Sequence, residues 1–357
     1  MQSFIIGKNQ AGQRFDKFLV KYLPGAPKSL IYKMLRKKNI TLNKKKSDGS
    51  EILSVGDSVE SFFSDETFEK FSSLGDFPNS NVINANSINA SKSNNSSNPS
   101  IKAANLSKTG SLNFNSKDSN KKNIIKPTII YEDENILIAD KPAGLLSQKA
   151  EPGDYSVNEW LIEYLLDSGK LTKEELKTFK PSTCNRLDRN TSGLIICGIS
   201  LLGLQKMSEI IRHGNLEKYY VTVCHGKIDK SFKAEGILIK DSAKNKSFIK
   251  NISDEDMKAN IITDFKPLKY NESATLLEVN LHTGKPHQIR AQLSALGHPI
   301  YGDKKYGGND KGFKHQILCA YRLVFPGQDV LGDDFKYLAN KEIKIDFPKE
   351  ILKFDLS

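Results

Sequence analysis

Apolar residues recur at helical spacing at Phe15, Phe18, Leu19, Tyr22 and Leu23, and Pro24-Gly25 closes that run. A second helix is expected next, with Ser29 as its cap and Leu30, Ile31, Met34 and Leu35 turned inward. Lys33, Arg36 and Lys37 then fall largely on its exposed side. Strands are predicted at about 40–43, 51–55 and 59–63, with turns at Ser47-Asp48-Gly49 and Val55-Gly56-Asp57. Beyond residue 124 the pattern predicts strands at 128–131, 136–140, 194–198, 218–225 and 274–281. Helices are predicted at 200–213 and 286–296. The first puts Leu201, Leu204, Met207, Ile210 and Ile211 on one face. In the second, Pro286 suits the first turn, Gly297 suits the C-terminal cap, and Ile289, Leu293 and Leu296 make the buried face. His287, Arg290 and Ser294 share a neighbouring face that can look into a cleft. Strands and helices mix without regular βαβ alternation, so the class is α+β.

Composition divides this pattern in two. Residues 76–120 hold 12 Asn and 11 Ser with no periodicity, too little apolar surface to offset ordering entropy. The expected organisation is a small domain at 1–70, a flexible Asn/Ser-rich linker at 71–123, and a large domain at 124–357. No apolar run approaches the roughly 20 residues of a membrane span, and the N-terminus does not read as a secretory signal. The four cysteines are scattered without a CxxC pair, which fits reduced thiols and a cytoplasmic location.

Charge sharpens the division. Of the net +11, residues 124–357 carry only +2. The densest cluster is Lys28, Lys33, Arg36, Lys37, Lys38, Lys44, Lys45 and Lys46, eight bases with no acid between them. A basic solvated face would explain such a run, but its confinement to one segment favours a polyanion partner, most simply nucleic acid.

Three constellations in the large domain can carry chemistry. Asn185-Arg186-Leu187-Asp188-Arg189-Asn190-Thr191-Ser192-Gly193 precedes the buried run Leu194–Cys197, a favoured place for a catalytic group. Asp188 stands between two arginines, so an ionised carboxylate is expected. On physics alone the loop reads equally as a structural Asp–Arg brace. The second is His282-Thr283-Gly284-Lys285-Pro286-His287-Gln288-Ile289-Arg290, running on to Gly297-His298-Pro299. Its three histidines match no common zinc spacing, so no metal is expected. The third is Glu217-Lys218-Tyr219-Tyr220, where strand alternation sends one tyrosine to the core and the other to the opposite face.

Taken together and in this order, the RLDxxTSG loop, Lys218-x-Tyr220, TGxxHQIR at 283–290 and GHPIxGDxxYG at 297–307 resemble the RluA family of RNA pseudouridine synthases. IIYEDENILIADKPAGL at 129–145 is similar to that family's domain start. Residues 12–46 resemble an S4 (α-L-like) RNA-binding domain, so the resemblance covers the chain except its linker, and the nearest subgroup is the RluC-like large-subunit rRNA enzymes. Asn185 stands where the family usually has His, and Ala291-Gln292 where it has Val-His.

The resemblance implies a catalytic domain with a mixed, largely antiparallel sheet and flanking helices. It implies an isomerase that turns uridine into pseudouridine, most simply in large-subunit (23S) ribosomal RNA, acting as a monomer without cofactor. Asp188 would be the catalytic carboxylate, attacking covalently or removing a sugar proton. Arg290 would pair with it, and Tyr220 would pack against the target base. Arg186, Arg189 and His287 would contact RNA, alongside the basic cluster of the S4 domain. A catalytically inactive S4-type RNA-binding or ribosome-assembly protein is the rival. A glycoside hydrolase, which needs two carboxylates, is disfavoured because the motifs supply no second one.

Overall fold

The computed structural model describes residues 2–72, 125–241, 246–250 and 259–354. The expected linker at 71–123 lies almost wholly outside them.

The N-terminal module runs β1 (Gln2–Ile5), α1 (Phe15–Tyr22), α2 (Lys28–Arg36), β2 (Ile40–Leu42), β3 (Ser58–Ser61) and α3 (Asp65–Ser72). Its three strands pair antiparallel in the order β1-β3-β2. Phe15, Phe18, Leu19, Leu23, Ile31 and Leu35 bury the facing sides of α1 and α2 against this sheet. Two expectations fail here. Ser29 does not cap α2, because the helix starts at Lys28 directly after Pro27, which leaves Ser29 inside the first turn. Residues 51–55 form no strand. Their backbone groups bond instead to the approach to α1, through Gly12 N–Leu53 O at 2.8 Å and Phe15 N–Glu51 O at 2.8 Å.

From residue 125 the chain runs β4 (Thr128–Glu132), β5 (Ile136–Lys141), α4 (Val157–Asp167), α5 (Lys173–Thr178), β6 (Ser182–Thr183), β7 (Ser192–Gly198) and α6 (Leu201–Arg212). It continues β8 (Glu217–His225), β9 (Phe232–Asp241), β10 (Lys246–Lys250), β11 (Ile261–Tyr270), β12 (Ala274–Leu281) and α7 (Gln288–Ala295). It closes with β13 (Leu318–Val324), α8 (Gln328–Leu331), a 3₁₀ turn, β14 (Glu342–Lys344) and α9 (Lys349–Leu352).

These strands make one mixed sheet in the order β10-β9-β11-β12-β8-β13-β7-β5-β4, with β6 on β7 and β14 on β13. Pairing is antiparallel except at the β13–β7 junction. One face carries Leu137, Trp160, Leu161, Ile195, Tyr220, Leu277 and Leu293, and the other carries Ile136, Leu194, Met207 and Phe335. The runs Ile136–Ala139 and Leu194–Cys197 are buried on both faces, which explains why they read as continuous apolar segments. The two regions also touch: Gln10 Nε2 donates to Thr178 Oγ1 at 2.9 Å, with Gln10 only 2% exposed.

Candidate active site

The β13–β7 junction sets the site. Across it Tyr220 of β8 stands opposite Ala320 of β13, and Ala320 opposite Gly193 of β7. Gly193 has φ +109, and a Cβ there would lie 2.2 Å from the Ala320 oxygen, so only glycine fits. The loop immediately before it carries Asp188.

That loop is pinned on both sides. Upstream, Ser147 Oγ donates to Leu187 O at 2.8 Å and accepts from Leu187 N at 3.0 Å. Asn185 Oδ1 accepts the Ile196 N–H at 2.9 Å, so this departure from the resembled pattern closes the loop onto β7. Downstream, Lys141 is fully buried, and its Nζ donates to Pro142 O, Leu145 O and Arg189 O at 3.0, 2.8 and 3.1 Å. Burial pushes its ammonium down to about 8, against the opposing pull of Asp188 and Asp140.

The cation on Asp188 is not a sequence neighbour. Arg186 and Arg189 are exposed, and Arg189 Nε donates to Gly144 O at 3.2 Å. Instead Arg290 of α7, 102 residues away, donates through Nη1 to Asp188 Oδ2 at 2.7 Å. The same guanidinium grips Asp303 with Nε and Nη2 at 2.7 and 2.8 Å. Asp303 is 1% exposed. Burial works against the Arg290 charge, but Asp303 and Asp188 more than offset it, and its pKa is raised. Asp188 itself keeps 25% of its side chain exposed, so a ligand can reach it. Asp303 is the second carboxylate that sequence reading overlooked, although it lies within GHPIxGDxxYG. Both its oxygens are committed to Arg290.

Tyr220 is buried in the main core, and its phenol is raised above the ordinary range, first by burial and then by the Asp188 charge. It therefore stays neutral. Tyr219 takes the opposite face, with the Arg322 guanidinium 3.7 Å from its ring centroid.

α7 starts later than expected, at Gln288, because His287 turns left-handed as its N-cap, which puts Pro286 outside the helix. Gly297 (φ +83) does follow the helix end, with Gly297 N–Ser294 O at 3.1 Å and His298 N–Leu293 O at 2.8 Å forming a Schellman closure. Ile289 and Leu293 are buried, but Leu296 is 48% exposed, since that closure turns it outward. His287, Arg290 and Ser294 do share a face, gathered around Tyr306: His287 Nδ1 lies 3.0 Å from its hydroxyl, and Ser294 Oγ donates to its carbonyl at 2.7 Å. His287 Nε2 is 3.9 Å from Asp188 Oδ2.

The remaining candidates stand elsewhere. Lys28, Lys33, Arg36, Lys37, Lys38, Lys44, Lys45 and Lys46 are all exposed in the N-terminal module. Among the described residues, no three His, Cys, Asp or Glu side chains are grouped to hold a metal ion. Lys141, Asp303 and Tyr306 were given no role from sequence. The one signal for Lys141 was a charge ending an otherwise apolar strand, and for Asp303 an acid set between glycines in a motif already noticed.

Known proteins are similar to this chain in sequence. The family described as RNA pseudouridylate synthase matches residues 135–295. Ribosomal large subunit pseudouridine synthase C of Buchnera aphidicola subsp. Schizaphis graminum is 30% identical over 307 residues, covering 85% of this chain and 80% of its own. An uncharacterised RNA pseudouridine synthase of Mycoplasma genitalium is 27% identical over 335 residues, covering 90% and 88%. The solved human RNA pseudouridylate synthase domain containing 4 aligns with TM-score 0.48 and 19% identity, over 63% of this chain and 90% of that one.

Proposed function

Because the chain belongs to the RNA pseudouridylate synthase family, we propose that it isomerises uridine in large-subunit ribosomal RNA, with Asp188 as the catalytic carboxylate. The observation that carries this reading is the 2.7 Å ion pair through which two distant motifs bring Asp188 and Arg290 together. A protein that only bound RNA would gain nothing from a reachable carboxylate facing phosphates. The relatives' printed names supply the substrate class. A two-carboxylate hydrolase is disfavoured, because Asp303 has no free oxygen.

In the reaction the N1–C1′ bond breaks, the base turns, C5 bonds to C1′, and the C5 proton is lost as N1 gains one. Arg290 holds Asp188 aimed at the ribose, and Asp303 keeps Arg290 from moving. Tyr220, neutral and flat, packs against the base. The target uridine leaves its stack to enter, with Arg186 and Arg189 on flanking phosphates and His287 beside the nucleotide. The N-terminal module acts as an S4-type clamp, its basic cluster tracking the RNA backbone, with residues 71–123 as linker. No helix among the described residues is long and apolar enough to cross a membrane. A ribosomal RNA substrate implies work in the cytoplasm, and we expect a monomer.

The test is pseudouridine formation by purified protein on large-subunit, small-subunit and transfer RNA transcripts. Large-subunit RNA is the expected substrate, and Asp188→Asn is expected to bind it normally without turnover. An Asp188→Asn protein that keeps a tenth of the wild-type single-turnover rate would remove Asp188 from its role.

A further inference from the structure

We propose that His287 is a catalytic hydrogen-bond donor, its Nε2–H fixed by Tyr306 to meet the uracil as negative charge develops on the base. The inference rests on the pseudouridine synthase reading and deepens it at one side chain.

The backbone is the first support. His287 holds φ 59 and ψ 18, a left-handed conformation uncommon outside glycine. Such a residue persists where its surroundings over-determine it. Here Ser247 Oγ donates to Pro286 O at 3.0 Å, and the His287 carbonyl accepts from Ala291 N at 2.9 Å.

The second support is the tautomer. Tyr306 Oη accepts the Ser247 N–H at 2.8 Å and lies 3.0 Å from His287 Nδ1, to which the assignment gives its hydroxyl proton. With Nδ1 accepting, the imidazole proton sits on Nε2. Burial, with Arg290 and Lys305, holds the ring below the usual His range against the pull of Asp188 and Asp303, so it stays a neutral donor.

The third is position. Nε2 lies 3.9 Å from Asp188 Oδ2, too far to bond it, but near enough that a nucleotide on Asp188 meets both. As N1–C1′ breaks, its electron pair stays on uracil and charge spreads over N1, O2 and O4. A fixed N–H stabilises that charge without giving up its proton. Ser247 belongs to β10, so the edge hairpin holds this donor in place through Tyr306.

Saturating single-turnover rates and RNA Kd should be measured for the full-length wild type, His287→Gln, His287→Ala and Tyr306→Phe. His287→Ala should lower the rate about a hundredfold with Kd within about twofold. His287→Gln, which keeps an N–H at similar reach, should recover about tenfold of that loss. Tyr306→Phe keeps the ring but frees the tautomer, and should cost about tenfold. A full rate in His287→Ala, equal losses in Ala and Gln, or a loss confined to Kd would each overturn the assignment. A wild type that makes no pseudouridine in any RNA would instead remove the underlying reading, and this inference with it.

Discussion

Between Lys28 and Lys46 eight basic side chains stand exposed with no carboxylate among them, whereas at the site one guanidinium, 8% exposed, serves two carboxylates. The exposed charges keep their hydration, act at a distance and are screened by salt. The enclosed ones have exchanged water for fixed partners, so their value depends on geometry and is lost as a unit. On the proposed function the exposed charges would hold the RNA and the enclosed ones would change it, so each half should break without the other.

The largest effect should come from Arg290→Met, which leaves Asp188 and the buried Asp303 without their cation. The saturated rate should fall by about a thousandfold or more, non-additively with Asp188→Asn. Stability in urea should fall by about 3–5 kcal/mol, because a buried charge is left unpaired. A stable, active variant would show that the ion pair is ornamental.

Asp303→Asn sharpens the same half. Arg290 keeps Asp188 but loses its two-pronged anchor, so the rate should fall about a hundredfold through misplacement, with RNA Kd unchanged. A change in Kd alone would count against positioning.

Lys141 tests the loop's foundation through pH. Its folded value of about 8 lies below the ordinary lysine value, so between about pH 8 and 10.4 the unfolded chain binds more protons than the folded one. Stability relative to Lys141→Met should therefore rise with pH across that window, by up to about 3 kcal/mol, and level off above it. A parallel pair of pH–stability curves would contradict the depressed ammonium.

The smallest effect on rate should follow Lys44→Gln, Lys45→Gln and Lys46→Gln combined. The salt slope of binding should flatten by about 2, while the saturated rate stays within about twofold of wild type. A hundredfold loss of rate would mean that the basic module helps to build the site.

Legibility in the sequence followed the same division. Elements fixed by local periodicity were readable: the strand expected at 274–281 is β12 to the residue, and the helix expected at 200–213 is α6 within one residue at each end. Charge and exposure of the Lys28–Lys46 segment were readable too, because nothing distant alters them. What local pattern does not encode is partnership across the sheet. The strands β9, β10 and β11 went unread although they pair with one another and with β12, because polar residues interrupt them and β11 carries Pro267 at a bulge. For Asp188 the local pattern pointed only to the adjacent arginines, and its pairing with Arg290 was legible through the family resemblance alone, while Leu296, apolar at helical spacing, is turned outward by the closure at Gly297. His287 was visible as a residue, but its left-handed turn depends on Ser247 and Tyr306.

Asp188 is proposed to act on large-subunit ribosomal RNA. Pseudouridine mapping of ribosomal RNA from cells lacking the gene, complemented with wild type or Asp188→Asn, tests it most directly. One or more large-subunit pseudouridines should vanish with the gene, return with wild type and stay absent with Asp188→Asn. An unchanged large-subunit map without the gene, or full restoration by Asp188→Asn, would contradict the account.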